Sequence, residues 1–102
     1  MKNIYNITWS AEARKNLNAI IHYLENNWTE KELKQFTKLL DRSINTIAIN
    51  PNLFPIFSHS TKVRKCVISK QTSIFYHIDE SEVSLITLFD NRQNPERLKN
   101  RL

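Results

Sequence analysis

The fold is decided by residues 62–95, which read KVRKCVISKQTSIFYHIDESEVSLITLFDNRQNP. Three segments within this stretch, 62–69, 73–78 and 82–89, are rich in β-branched and aromatic residues, and short polar clusters separate them. Residues of these types favour β-strands, and the polar clusters favour turns. The pattern therefore predicts three consecutive antiparallel strands that end on a polar tail around Arg92.

Upstream of this stretch, the sequence predicts one short strand and two helices. Residues 4–9 alternate like a strand, and Ser10 is a suitable N-cap for a helix. Thr29 and Glu32 have the spacing of a capping box, so a second helix begins directly after the first, and it ends near Ile49. Two amphipathic helices joined so closely form an antiparallel hairpin.

The remaining segments are a connector and a short terminal helix. Residues 50–61 read as a connector whose path is fixed by prolines, and Pro95 is suited to open a last helix. The predicted order is strand, helix, helix, strand, strand, strand, helix. By layer packing, this is an α+β fold in which a helical hairpin covers one face of a small antiparallel sheet. A chain of 102 residues is expected to form a single domain, residues 1–102.

The composition excludes several kinds of site. The chain has no glycine, and the phosphate-cradling loops of nucleotide-binding folds need glycine so that the backbone can approach the phosphates. Cys66 is the only cysteine, so we predict a buried strand thiol and neither a disulfide nor a thiolate zinc site. No metal or other cofactor is expected. The amino terminus lacks the apolar core of a signal peptide and no apolar run could span a bilayer, so we expect a cytoplasmic protein with no membrane partner.

The formal net charge of +5 is unevenly distributed along the chain. Between Asp41 and Asp79 there is no acidic residue. A patch of one sign attracts polyanions, either a nucleic-acid backbone or an acidic protein segment. Alternatively, the charges mark a solvated edge strand, where they discourage aggregation. The basic residues in this window are Arg42, Lys62, Arg64, Lys65 and Lys70.

Short segments along the whole chain carry a family resemblance: 8–13 (TWSAEA), 20–24, 32–36, 50–55 (NPNLFP), 63–65 (VRK), 74–79 and 90–95. No single segment is specific. In this order and spacing, however, they resemble the RelE/ParE superfamily of bacterial toxins, the toxic halves of type II toxin–antitoxin modules. The resemblance implies a growth-inhibiting toxin with the α+β fold described above.

The resemblance implies one of two activities. Members similar to ParE carry no nuclease chemistry and are associated with poisoning DNA gyrase, whereas members similar to RelE cleave mRNA in the ribosome. In the mRNA-cleaving members, catalytic roles are filled by an arginine in the third strand, an arginine after the last strand and often a carboxyl-terminal tyrosine. Arg92 matches the second arginine, but Ser73 stands near the position of the first, and Tyr76 is the last tyrosine of the chain. These gaps favour a ParE-like toxin that acts on DNA gyrase.

Candidate site residues follow from the two activities. RNA cleavage without a metal needs a base, an acid and cations around the developing charge. If the chain is a nuclease, its candidates for these roles are Arg64, Tyr76, His77 and Arg92. The residues expected to contact the target or a nucleic acid are Lys62, Arg64, Lys65, Lys70 and Arg92.

The expected partners are a cognate antitoxin and the target, either DNA gyrase or the ribosome with its mRNA. Modules of this superfamily encode an antitoxin whose carboxyl-terminal segment wraps the toxin. A basic surface with apolar grooves suits such an acidic amphipathic segment. A non-toxic nucleic-acid-binding or protein-binding module of the same fold is a third hypothesis, because fold does not fix function.

Overall fold

The computed structural model describes residues 4–27 and 29–90. Trp28, Arg92 and the predicted helix after Pro95 lie outside the described residues. The elements in the described part are the strand β1 (Asn6–Trp9), the helices α1 (Ala11–Asn27) and α2 (Glu30–Ile49), a short 3-10 turn (Pro51–Leu53), and the strands β2 (Ile56–Ser58), β3 (Val63–Val67), β4 (Thr72–Asp79) and β5 (Glu82–Asp90).

The strands form one five-stranded sheet in the order β1-β5-β4-β3-β2. The predicted meander is confirmed, because β3, β4 and β5 pair antiparallel in succession. β1 pairs parallel with β5, from Asn6 opposite Glu82 to Trp9 opposite Leu85. The α+β class is therefore confirmed, but the sheet is mixed where a purely antiparallel one was predicted. A parallel pair needs a long crossover connection, and the helical hairpin with the strands after it supplies one.

The predicted connector contains a short strand, β2. β2 pairs antiparallel with β3, with Ile56 opposite Arg64 and Ser58 opposite Val63, and the register shifts between these two pairs. β2 is only three residues long, and so short an apolar run close to a proline is ambiguous between strand and loop. Because β2 pairs with its outer side, β3 is an internal strand of the sheet.

Side-chain hydrogen bonds fix where both helices begin. The hydroxyl of Ser10 accepts from the backbone N–H of Ala13 (2.9 Å) and donates to the carbonyl of Ile86 (2.7 Å), so one side chain caps α1 and ties it to β5. The predicted capping box of α2 is confirmed. The N–H of Thr29 donates to the carboxylate of Glu32 (2.9 Å), and the N–H of Glu32 donates to the Thr29 hydroxyl (3.4 Å).

The core lies between the helical hairpin and one face of the sheet. Apolar side chains at helical spacing on α1 and α2 pack against inward-facing residues of β3, β4 and β5, as expected for a two-layer fold. No helix within the described ranges 4–27 and 29–90 has the length and apolar character needed to cross a membrane. The buried cluster includes Ile20, Leu24, Phe36, Leu40, Ile47, Cys66, Ile74, Tyr76, Val83, Leu85 and Leu88.

Glu80 has a backbone conformation that glycine adopts more readily. It is the first residue of the turn that joins Asp79 to Glu82, and its φ is 54°. The left-handed region costs a non-glycine residue about 1–2 kcal/mol, and glycine itself loses about 0.5–1 kcal/mol of chain entropy. Glu80→Gly is therefore expected to raise the free energy of unfolding by about 0.5–1 kcal/mol in urea denaturation. Ser81→Gly is the control, and a Glu80→Gly variant that is less stable than the natural chain would contradict the turn geometry.

Candidate functional surface

Strand alternation divides the predicted basic residues between the two faces of the sheet. Arg64 lies opposite Tyr76 on the face that the helices cover, and Lys65 lies opposite Phe75 on the other face. The predicted basic strand is therefore not one continuous patch. The edge-strand interpretation of its charges is also wrong, because β3 lies between β2 and β4. We call the face away from the helices the open face, and it carries Phe57, Lys65, Val67, Ser73, Phe75 and Phe89.

Arg64 is engaged by the backbone that follows α2. One guanidinium nitrogen, Nη1, donates to the carbonyl of Phe54 (2.6 Å) and to that of Asn52 (3.4 Å). The other, Nη2, donates to the side-chain Oδ1 of Asn52 (3.3 Å). The planar guanidinium with its several donors suits such convergent acceptors. Arg64 thus ties β3 to the turn and connector after α2, and it is turned away from Lys65.

Tyr76 is a core residue. Its side chain is fully buried, and its hydroxyl donates to the carbonyl of Pro51 (2.6 Å). Burial raises the pKa of Tyr76 from 10.0 to about 12, and the nearby charge of Arg64 offsets this effect only in part. A buried phenol that ionises so far above neutral pH is poorly suited to proton transfer. Tyr76 therefore does not reach the surface as a catalytic candidate would have to.

The open face combines one cation with an aromatic pair. The Nζ of Lys65 lies 5.9 Å from the ring centroids of both Phe57 and Phe75. The two rings meet edge to face, with centroids 4.9 Å apart and an interplanar angle of 71°. Phe75 is fully buried, whereas Phe57 is 45% exposed. A cation beside an accessible aromatic ring attracts a polyanion and offers a stacking surface at the same point.

Lys70 extends this cationic surface to the β3–β4 turn. Lys65 and Lys70 line the same open cavity of about 230 Å³, together with Ser73, Phe75 and Phe89. These two lysines are therefore the predicted target-contacting residues that the described structure brings together. Ser73, which stands near the position of the third-strand arginine of mRNA-cleaving relatives, faces the same cavity.

The other predicted site residues that the structure describes do not line this cavity. Lys62 is exposed in the β2–β3 turn, with φ of 62°. His77 is half-buried in β4, opposite Ser84 of β5. Arg92 lies outside the described residues. Within the described ranges, no three or more His, Cys, Asp and Glu side chains are grouped so that they could hold a metal ion.

The aromatic residues of the open face were not among the predicted site residues. Alternation along β4 places Ser73, Phe75 and His77 on one face, and this period was present in the sequence. Phe57 could not be assigned, because its segment was interpreted as a connector. Strand register decides which of the basic residues share a face, and it cannot be read from charge alone.

Family comparison identifies the protein. Residues 7–95 match the family model described as the ParE toxin of the type II toxin–antitoxin system parDE. The chain belongs to this ParE toxin family. The predicted membership of the RelE/ParE superfamily is thereby confirmed, and the protein is the toxin component of a type II toxin–antitoxin system. A search of curated proteins gives no match.

Solved structures of bacterial toxins share the fold of this ParE-family toxin. The chromosomal ParDE system from P. aeruginosa aligns with a TM-score of 0.68 and 19% identity over 86% of this chain and 97% of that chain. A copper-bound mutant toxin from Helicobacter pylori aligns with a TM-score of 0.61 and 18% identity over 87% and 97%. The E. coli DinJ–YafQ toxin–antitoxin complex contributes a chain with a TM-score of 0.50 and 14% identity over 86% and 93%. At these sequence identities, the matches to solved structures show only that the folds are similar.

Adjacent residues of β3 provide a matched test of these assignments. Arg64→Ala removes donors from three acceptors around Asn52 and Phe54, so we expect a loss of about 1–3 kcal/mol of unfolding free energy. Lys65→Ala, on the open face, removes only the ring contacts of its ammonium group, so we expect a smaller loss of at most about 1 kcal/mol. Urea denaturation of both variants measures the difference. Equal stability of the two variants would show that Arg64 does not hold the turn.

Proposed function

We propose that this toxin acts by binding DNA gyrase and carries no nuclease chemistry. The observation that supports the proposal is the engagement of Arg64 and Tyr76 in internal hydrogen bonds to the 51–54 segment. Both residues were candidates for RNA cleavage, and neither side chain is directed at the open face. Membership of the ParE family favours the same interpretation, because ParE-like toxins are those associated with gyrase.

RNA cleavage needs more catalytic groups than the remaining candidate residues supply. Attack by a 2′-hydroxyl on its own phosphate needs a base at the hydroxyl, an acid at the leaving oxygen and cations beside the phosphate. Lys65 and Lys70 supply positive charge on the open face. Of the nuclease candidates, only His77 and Arg92 are then left to transfer protons. A surface with charge and aromatic area but few proton-transfer groups suits binding better than cleavage.

The second candidate function is ribosome-dependent cleavage of mRNA, as in RelE-like toxins. The observation in its favour is the position of Lys65 beside the rings of Phe57 and Phe75. Backbone charge neutralisation and base stacking are the two interactions by which proteins hold single-stranded nucleic acid. A non-toxic binding module with the same fold would use this face without any chemistry.

We also propose that a cognate antitoxin neutralises this chain and that both act in the cytoplasm. The DinJ–YafQ structure is a toxin–antitoxin complex built on a chain of the same fold. The net charge of +5 complements an acidic partner segment. Both proposed targets, DNA gyrase and the translating ribosome, are cytoplasmic assemblies.

Induced expression of the natural chain in a bacterial host, with pulse labelling of DNA and protein synthesis, tests the proposed target. We expect DNA synthesis to fall first, with a DNA-damage response, while protein synthesis continues. Arg92→Ala serves as the comparison variant. Early loss of protein synthesis that Arg92→Ala abolishes would instead establish mRNA cleavage, and normal growth would favour the non-toxic module.

A further inference from the structure

The solvent side of α2 carries a row of cations, which we call the basic ridge. Its members, all of them exposed, are Lys31, Lys34, Lys38 and Arg42. Their spacing of three or four residues places them on one side of the helix. This side lies opposite the buried side of α2, which includes Phe36, Leu40 and Ile47. The basic ridge therefore projects away from the core and away from the open face of the sheet.

Three of these cations surround one open depression on α2. Its volume is about 440 Å³, and it is lined by Lys31, Lys34, Gln35, Thr37 and Lys38. Among the described residues, this lining includes no carboxylate and no hydrophobic side chain. An amphipathic partner segment or a lipid bilayer would need an apolar surface to cover. The depression therefore suits a polar anion better than either of them.

The spacing of the basic ridge does not favour the helix itself. Lys34 and Lys38 are four residues apart, and so are Lys38 and Arg42. Like charges at this spacing destabilise a helix, whereas alternating signs stabilise it. Lys34 lies 3.7 Å from Glu30, in an exposed pair that salt screens. Within residues 4–27 and 29–90, Lys31, Lys38 and Arg42 form no ion pair, so an anionic ligand explains the row better than helix stability does.

We propose that the basic ridge binds the phosphate backbone of duplex DNA. From Lys31 to Arg42 the helix rises about 16 Å, which matches the axial rise of about five phosphates of one strand. Glu30 and Asp41 flank the row, but two carboxylates leave four cations in excess. Single-stranded nucleic acid is held largely by base stacking on aromatic side chains, which the basic ridge lacks. This site goes beyond the proposed function, because it lies on α2 and does not depend on the target.

The salt dependence of DNA binding by the full-length chain tests this site. The probe is a fluorescein-labelled duplex of about 20 base pairs, titrated by fluorescence anisotropy between about 50 and 200 mM salt. Four neutralised phosphates release enough counterions to weaken binding at least about a hundredfold over this range. A second duplex of unrelated sequence should bind within about twofold of the first, because phosphate contacts carry no sequence information.

Two charge-matched double variants locate the binding site. Lys31→Gln with Lys38→Gln removes two charges of the basic ridge, and Arg14→Gln with Lys15→Gln removes two exposed charges of α1. We expect the first pair to reduce the slope of log K against log salt by about 1.8 and the second by less than about 0.5.

Three results would overturn the proposal. The first is that the natural chain does not bind the duplex, and the second is that both double variants have the same slope. The third is that a glutamate-rich peptide binds the natural chain more tightly than the duplex does and loses affinity only in the ridge variant, because the ridge would then bind an acidic protein. None of these readouts involves gyrase, so a failed target assay would leave the DNA site standing.

Discussion

Replacing Tyr76 by phenylalanine is expected to lower the free energy of unfolding by about 1–3 kcal/mol near neutral pH. The variant keeps the ring but removes the hydroxyl that donates to the buried carbonyl of Pro51 at 2.6 Å. The carbonyl of Pro51, which is itself buried, then loses this hydrogen-bond donor. Urea denaturation measures the loss, and Tyr5→Phe, at a half-buried tyrosine, is the matched control.

The pH dependence of the same variant separates a structural Tyr76 from a catalytic one. Because the folded-state pKa is raised from 10.0 to about 12, the unfolded chain ionises first as the pH rises. The stability that Tyr76 contributes is therefore present below pH 10 and is lost as the pH rises through this window. Between pH 8 and pH 11, the natural chain should lose about 1.4 kcal/mol that Tyr76→Phe does not lose. Parallel stability curves for the two proteins would contradict the burial of the hydroxyl.

Replacing Asn16 by alanine is expected to have a larger effect, about 2–4 kcal/mol. Asn16 is buried in α1, and its Oδ1 accepts from the hydroxyl of Thr87 (2.5 Å) and the backbone N–H of Leu88 (3.2 Å). The substitution leaves both donors in the interior without this acceptor. It also removes the hydrogen bond from Asn16 Nδ2 to the carboxylate of Glu12 (2.7 Å).

The neighbouring Asn18→Ala variant provides the control for Asn16. Asn18 is exposed on the same helix, so alanine there should be neutral or slightly stabilising through its higher helix propensity, by a few tenths of a kcal/mol. Thermal denaturation followed by circular dichroism compares the two variants. If both have the same midpoint, Asn16 does not join α1 to β5 in the way its contacts indicate.

Features encoded by neighbouring residues were predictable from the sequence. Thr29 and Glu32 form their capping box within one helical turn, and the two-residue turn between Asp79 and Glu82 sets the pairing of β4 with β5. The apolar stripes of the helices and the three-stranded meander could be predicted from the spacing of apolar residues and from the turn residues. Such local signals agree with the final fold, as is usual for sequences that fold to one structure.

Features that depend on distant pairing were not predictable. The parallel register of β1 on β5 joins residues separated by most of the chain, and no local pattern specifies it. The opposite orientations of Arg64 and Lys65 follow from the alternation of side chains along β3. The sequence of β3 does not show, however, which of its two faces the helices cover. In most sequences a glycine marks a position with left-handed backbone. This chain has no glycine, so the left-handed conformations of Lys62 and Glu80 could not be predicted.

We propose that this toxin binds gyrase and does not cleave RNA. The most direct measurement combines the purified full-length chain with DNA gyrase and plasmid DNA in one reaction, and with translating ribosomes and a labelled mRNA in another. We expect inhibited supercoiling with trapped gyrase–DNA cleavage complexes in the first reaction, and an intact mRNA in the second. Site-specific cuts in the mRNA, with gyrase activity unchanged, would contradict the proposal.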